Sequence, residues 1–355
     1  MSFPFPANKD NAVARLREET YRVPPGQDFT VRRFEPGDAW GVIRSFFEVY
    51  DDGYPFDTYY VPHKLIAAHE RGDMISAVAV TTRGDIVAFG SLLHHAADNP
   101  RLYETGQASV IPDYRATMAI LCIQECLYTM TGNGEPIDAI FGEAVSNHQV
   151  MQRVSLLFDF VETGIELALM PGAPYGRGDA PEERVSTVLT FKVLCDTPRD
   201  LYLPQVYEDV LGVLLEPLPL TRRVAVSVAD LPDTDSDVDV RLFEAMGILR
   251  LMARTTGRDF GDRLDRELRK SETEGALVFQ VFVNLSEPQS GRVVDMLRER
   301  GFFFGGFLPL WFGEDGLLMQ KLAFTPNFDG LKLQSPQTHE LLAFIRRDME
   351  QVGQV

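Results

Sequence analysis

The stretch that most limits the fold of this chain runs from Met74 to Val145. Two β-like runs, MISAVAVTT and DIVAFGSLLHH, are joined by Arg83-Gly84-Asp85, a short Gly-containing connection of the hairpin kind. YETGQASVI adds a third strand and stops at Pro112. In ATMAILCIQECLYTM, Ile120, Ile123, Leu127 and Met130 share one helical face. IDAIFGEAV then returns as a strand. Hairpins impose antiparallel pairing and a strand-helix-strand crossover imposes parallel pairing. A mixed α/β sheet, mostly antiparallel and flanked by helices, is predicted.

Extending the reading outward gives the order β-α-α-β-β-β-α-β-α-β. FTVRRFEP supplies the first strand, DAWGVIRSFFEVY and HKLIAAHE the two helices, SNHQVMQRVSLLF a later helix capped at Ser146 or Asn147, and ETGIELALMP the last strand. Residues 1–27 read as a leader with one amphipathic helix around Asn11 to Tyr21. TGNGEP and the Pro- and Gly-dense stretch from Pro171 to Glu183 read as turns. STVLTFKVL either completes the first domain or bridges to the next. Further on, RRVAVSVADL and ALVFQVFVNL read as strands, and the charged run near FGDRLDRELRKSE as a helix. SPQTHELLAFIRRDMEQV reads as a final helix capped by Ser335. IDAIFGEAVSNHQVMQRVSLLFDFVETG can be set beside LVFQVFVNLSEPQSGRVVDMLRERGFFFGG as strand, turn, helix and strand in each, which suggests two tandem copies of one fold.

The chain has 355 residues, against roughly 100–200 per domain, so two domains are expected. The predicted division is a leader at 1–27, a first domain at 28–195, a second at 196–325 and a helical tail at 326–355. A formal charge of −18 disfavours nucleic acid and anionic membranes as partners. The N-terminus lacks the apolar run of a signal peptide, no apolar stretch reaches membrane-span length, and the cytoplasm is the expected compartment. Cys122 and Cys126 lie four apart in a helical pattern and read as core packing rather than metal or disulfide.

The strand-arginine-helix unit followed by strand-helix-strand resembles the GCN5-related N-acetyltransferase (GNAT) superfamily, well over residues 28–195 and as a degenerate copy over 200–325. In VIPDYRATMAI, the residues Val110, Pro112, Tyr114 and Arg115 match that family's V-x-P-x-[YF]-R segment. Ala116 and Thr117 follow at variable places, and Met118 and Ile120 stand where glycine and a small residue are usual. The resemblance implies that backbone N–H groups from Arg115 through Ala119 to Ile120 hold the pyrophosphate of acetyl-CoA or another acyl-CoA. It implies that Ala108, Ser109 and Val110 pair with the pantetheine arm, and that Asn147 opens the second helix. Asp159-Phe160 occupies the place of a Gly-Phe pair that is intact at Gly301-Phe302. Ser155, and Leu297 in the second copy, stand where many members carry a tyrosine acid. GFFFGGFLPLWFGEDGLLMQK resembles the end of the second copy in poorly defined bacterial proteins, some joined to histidine-kinase-like regulatory modules.

The resemblance makes Glu104, or alternatively Glu143 on the neighbouring strand, a candidate base for an amine; a solvated strand residue is the other reading of Glu104. It places the acceptor at YDDGYPFDTYY, where Asp51, Asp52, Tyr54, Asp57, Tyr59 and Tyr60 suit a cationic amine. An acidic loop with core-packed tyrosines is the alternative. His94 and His95 are adjacent on a strand and point to opposite faces, which argues against a metal pair. His148 reads as structural or capping. Asp233, Asp235, Asp237 and Glu244 have EF-hand spacing, but Val238 replaces the required glycine, so an acidic turn is expected and no metal. GFFFGGFLPLWF reads as a buried strand or as a membrane or partner surface. The expected function is N-acyl transfer from acyl-CoA to a small-molecule or protein amine. The alternative is a non-catalytic GNAT-like module that senses a ligand or binds a regulatory protein. Homodimer formation is compatible with either.

Overall fold

A computed structural model describes residues 6–54, 56–94, 97–131, 137–175, 180 and 183–353. His95, the glycine-rich turn at 132–136 and part of the 171–183 loop lie outside the described residues. The chain forms two compact units, one of residues 1–96 with 103–137 and one of residues 97–102 with 138–355.

In the first unit, β1 (Phe29–Arg33), β2 (Met74–Thr81), β3 (Ile86–Leu93) and β4 (Leu102–Val110) pair in that order, each antiparallel to the next. The hairpin foreseen at Arg83-Gly84-Asp85 joins β2 to β3. Both are apolar on two faces, so helices must cover two sides. These are α2 (Ala39–Tyr50), α3 (Pro62–Glu70) and α4 (Ala119–Thr131). Val42, Phe46, Leu65, Val78 and Phe89 meet in one core. The N-terminal helix α1 is Lys9–Glu18, two residues earlier than predicted, because the Asn8 side chain accepts from Asn11 N–H and sets the cap there.

In the second unit, eight strands pair in the order β5, β7, β6, β13, β14, β12, β11, β10. The first three are β5 (Ala139–Val145), β6 (Val161–Met170) and β7 (Val185–Val193). The others are β10 (Asp237–Phe243), β11 (Ile248–Thr255), β12 (Val278–Asn284), β13 (Phe303–Leu308) and β14 (Gly316–Leu322). Helices α6 (Glu208–Leu215), α7 (Phe260–Thr273), α8 (Ser290–Arg298) and α9 (Pro336–Gln351) complete the unit together with α5 (Val150–Leu157). A short parallel pair, β8 (Arg199–Leu203) and β9 (Arg222–Val226), stands apart; β8 escaped the sequence reading because five residues carry too little periodicity. β11 and β12 are parallel, as a crossover through α7 requires, and the other neighbours in this order of eight are antiparallel.

The two aligned sequence segments share one connectivity. β5-α5-β6-β7 and β12-α8-β13-β14 each place their last strand between the first two. Their helix ends match bond for bond. Phe160 N–H donates to Ser155 O at 3.0 Å, and Phe302 N–H to Leu297 O at 3.0 Å. Between them Asp159 has φ +60° and Gly301 has φ +82°. The left-handed cap position tolerates Asp, but glycine takes it without Cβ strain. Asp159→Gly is therefore expected to raise stability by up to about 1 kcal/mol, read as a higher denaturant midpoint with unchanged slope.

One expectation needs correction, and one alternative is decided. The helix after β5 begins at Val150, not at a cap on Ser146 or Asn147. Ser146 N–H donates to Ser186 O and Ser146 O accepts from Lys332 N–H, which holds that residue in extended pairing; His148 Nδ1 instead accepts from Val150 N–H. GFFFGGFLPLWF is core: Phe302, Phe303, Phe304, Phe307, Leu308 and Leu310 are fully buried. Trp311 stacks on Phe282 at 5.0 Å, and its Nε1–H points at Met252 Sδ. Among the described residues no helix is long and apolar enough to cross a membrane. The tail helix α9 is capped by Ser335, as predicted, and is pinned by Asp348, which accepts from Tyr207 Oη–H, Phe304 N–H and Arg298.

Candidate functional site

β4 does not run straight into its turn. Opposite Gly90 of β3 it carries two residues, Gln107 and Ala108, so Gly106 faces Ser91 and Ser109 faces Phe89. Gln107 takes φ +56° to make this bulge. The bulge re-aims the strand. Ser109 Oγ lies 3.0 Å from Ser45 Oγ in the core, while Ala108 and Val110 are half-buried. Gln107 itself accepts a hydrogen bond from Tyr54 Oη. Bulge chemistry was not read from the sequence, where Gly106-Gln107 was its only trace.

Past Val110 the chain turns through Pro112–Tyr114 and enters α4. Tyr114 is a buried anchor: its hydroxyl donates to Pro24 O at 2.8 Å and accepts from Gln27 N–H. Arg115 folds back so that Nε donates to Val110 O at 3.3 Å. Thr117 caps the helix, its hydroxyl accepting from Ala119 N–H at 3.2 Å. The N–H groups of Ala116, Met118 and Ile120 have no acceptor among the described residues, as the first turn of a helix requires unless something else binds them. Met118 projects outward, 60% exposed. No residue from Arg115 to Ile120 has positive φ, so this turn can form without glycine. An open helix N-terminus with unpaired N–H groups favours an anion.

The acidic loop is less free. Asp51 and Asp52 bind Arg17 of α1 at 3.3 and 2.9 Å, and Asp57 binds Lys64 at 2.9 Å. Lys9 lies 4.3 Å over the Tyr60 ring and donates to Tyr54 O. Tyr59 is core-packed against Phe46 and Phe89. Burial pushes its phenol far above the ordinary range, with Ser91 and Glu104 as its polar neighbours. Glu104 is half-buried on β4, in register with Leu93. The structure thus brings Tyr54, Tyr59, Glu104 and Gln107 to the bulged strand, and leaves Asp51, Asp52 and Asp57 ion-paired on the surface.

Glu143, Asn147 and Ser155 belong to the second unit. Ser155 is buried at the end of α5, where its carbonyl closes the helix cap. Asn147 Oδ1 is buried with no partner among the described residues. Glu143 joins a polar group that sequence reasoning missed. Arg250 Nη2 lies 3.6 Å from Glu143 and 3.8 Å from Glu166, and Arg250 Nε donates to Gln280 at 2.7 Å. Gln280 in turn donates to Glu166 at 2.7 Å, as does Thr187 at 2.9 Å. Burial pushes the Glu166 carboxyl above its ordinary range, and Arg250 pulls it back. The signal for this group was a polar residue inside an apolar strand: Glu166, Arg250 and Gln280.

The EF-hand-like carboxylates bind no common point. Asp233 pairs with Arg258 and Asp237 with Arg254, and no group of three metal-ligating side chains occurs among the described residues.

No family model and no curated protein matches the chain. Among solved structures it is similar to a ribosomal-protein-S5-alanine acetyltransferase from Vibrio fischeri, at 13% identity over 47% of this chain and 94% of that one, with a TM-score of 0.38. It is also similar to a GNAT-superfamily phosphinothricin acetyltransferase from Sinorhizobium meliloti solved in complex with AcCoA, at 14% identity over 47% and 89%, with a TM-score of 0.38. An N-acetyltransferase from Staphylococcus aureus Mu50 matches at 11% identity over 47% and 98%, with a TM-score of 0.39. At these identities and TM-scores the likeness assigns neither a family nor a reaction. The chain's own connectivity repeats the expected order: a strand ending at Val110, a turn through Arg115, a helix, and then β5-α5-β6.

The turn at Arg115–Ile120 and the bulge at Gln107 sit on the segment where the sequence resemblance expects acyl-CoA.

Proposed function

We propose that the chain is an acyl-CoA-dependent N-acyltransferase, moving an acyl group from acetyl-CoA or a related thioester to an amine. The observation that carries this reading is the open turn after β4, where the N–H groups of Ala116, Met118 and Ile120 have no acceptor among the described residues at the start of α4. These residues would hold pyrophosphate, with Arg115 beside it. The bulged backbone at Ala108 to Val110 would pair with the pantetheine arm. Glu104 would take the amine proton, and proximity would do much of the remaining work. Direct attack forms the amide bond as the thioester C–S bond breaks, and CoA leaves as thiol once protonated. Ser155 is buried in a helix cap, so that proton would come from another group or from water.

Titrating the chain with acetyl-CoA, followed by an amine panel, tests this. Micromolar to millimolar binding with transfer is expected, and Glu104→Gln should lower turnover by about 10²–10⁴-fold with little change in acetyl-CoA affinity. Absence of binding at millimolar acetyl-CoA sinks the reading. Binding without transfer to any amine favours the second reading, a ligand-sensing or protein-binding module, which the buried Ser155 and the ion-paired Asp51 and Asp52 support.

A further inference from the structure

The second strand-turn-helix, β11 to α7, contrasts with the first. Its turn, Thr256-Gly257-Arg258-Asp259, contains a glycine, which the first turn lacks. The residues Pro232 to Ser236, between β9 and β10, lie against it. Gly257 N–H donates to Ser236 Oγ at 2.9 Å. Arg258 N–H donates to Pro232 O at 3.1 Å and to Thr234 O at 3.2 Å. Asp259 Oδ1 accepts from both Ser236 N–H at 2.8 Å and Ser236 Oγ–H at 2.7 Å. Arg263 of α7 donates to Ser236 O at 2.7 Å and Val238 O at 3.0 Å, and Arg258 pairs with Asp233. A Cβ on Gly257 would stand 1.9 Å from Thr234 O, so the glycine exists to admit this segment's own backbone.

We propose that the second copy's phosphate turn is permanently closed by its own chain, and that the protein takes one acyl-CoA per chain, at the first turn. This rests on the acyltransferase reading for its ligand, but the closure stands on the second unit alone. The N–H groups of Gly257 and Arg258 are already spent on a hydroxyl and two carbonyls. The nearby cations are engaged as well, Arg258 with Asp233 and Arg263 with the Ser236 and Val238 carbonyls, so neither is left for pyrophosphate. The first turn shows the reverse: exposed residues, N–H groups with no acceptor among the described residues, and Arg115 alongside. The acidic run Asp233-Thr234-Asp235-Ser236-Asp237 is thereby explained as a plug rather than a cation loop.

Calorimetric titration of the full chain with acetyl-CoA should give one equivalent. Two equivalents overturn the proposal. No binding overturns the acyltransferase reading, and hydrogen exchange then judges the closure by itself. The Gly257 and Arg258 amides should exchange at least about tenfold slower than in the unfolded chain, with no change on adding acetyl-CoA or inorganic pyrophosphate. Fast exchange in the free protein, or slowing on ligand addition, overturns it. Gly257→Ala should expel the segment, giving new proteolytic cleavage within 231–237 while the single equivalent at the first turn remains. If that variant does not fold, exchange on the unaltered protein still decides.

Discussion

Gly306→Val should melt roughly 6–12 °C below the unaltered chain, the effect of at least about 3 kcal/mol spread over a unit of some 200 residues. β6 and β13 meet at one register pair, Gly164 opposite Gly306. A Cβ on Gly306 would lie 2.5 Å from Gly164 Cα and 2.8 Å from Thr163 O, and one on Gly164 would lie 2.8 Å from Gly305 O. All of these are backbone atoms, so no rotamer change relieves the clash; the strands must separate. Separation would open the seam between the two β-α-β-β segments and expose buried Phe304 and Phe307. Gly212 in α6 is the control. Nothing lies within 4 Å of a Cβ built there, and Gly212→Ala should be neutral or stabilising by up to about 1 kcal/mol. If Gly306→Val melts within about 2 °C of the unaltered chain, the seam is not backbone-tight.

That seam marks where sequence reading stopped. Alternation and helical spacing located the strands and helices because each buries an apolar face, and burial writes a period into the chain. GFFFGGFLPLWF was legible as a buried strand for the same reason. Gly305-Gly306 could be read as glycines, but not as one side of a contact whose other side is Gly164, some 140 residues earlier. The turn after β4 was legible in part. Val110, Pro112, Tyr114 and Arg115 located it, yet Tyr114 proves to be an anchor for Pro24 and Gln27. Met118 looked like an obstacle by type and is turned outward, since a side chain's direction depends on the helix start set by Thr117. The acidic loop misled in the other direction: the charge of Asp51 and Asp52 was visible, but the arginine 34 residues earlier that binds them was not. The spacing of Asp233, Asp235 and Asp237 likewise showed a pattern without showing that Asp237 pairs with Arg254 on β11 and Asp233 with Arg258 in the turn before α7.

Arg250→Met is the second large effect expected, and it depends on pH. Arg250 is the cation between Glu143 and Glu166, and Glu166 is fully buried. Removing the guanidinium leaves a buried carboxylate held only by Thr187 and Gln280, a change that typically costs about 3–5 kcal/mol. Burial already holds the Glu166 pKa above its unfolded value, and loss of Arg250 must raise it further. A carboxyl whose folded pKa is raised binds its proton more readily in the native state. Its neutral form therefore imposes no penalty below the unfolded pKa, and the penalty grows as pH rises through the folded one. The gap in denaturant midpoint between Arg250→Met and the unaltered chain should be widest near neutral pH and should narrow as pH falls toward about 4.5. Adding Glu166→Gln to Arg250→Met removes the charge and should recover at least about half of the loss at neutral pH, with a coupling near 2 kcal/mol. A gap that stays constant across that range would mean that Glu166 carries no uncompensated charge in the variant, and that Arg250 contributes chiefly by packing between Phe243 and Phe282.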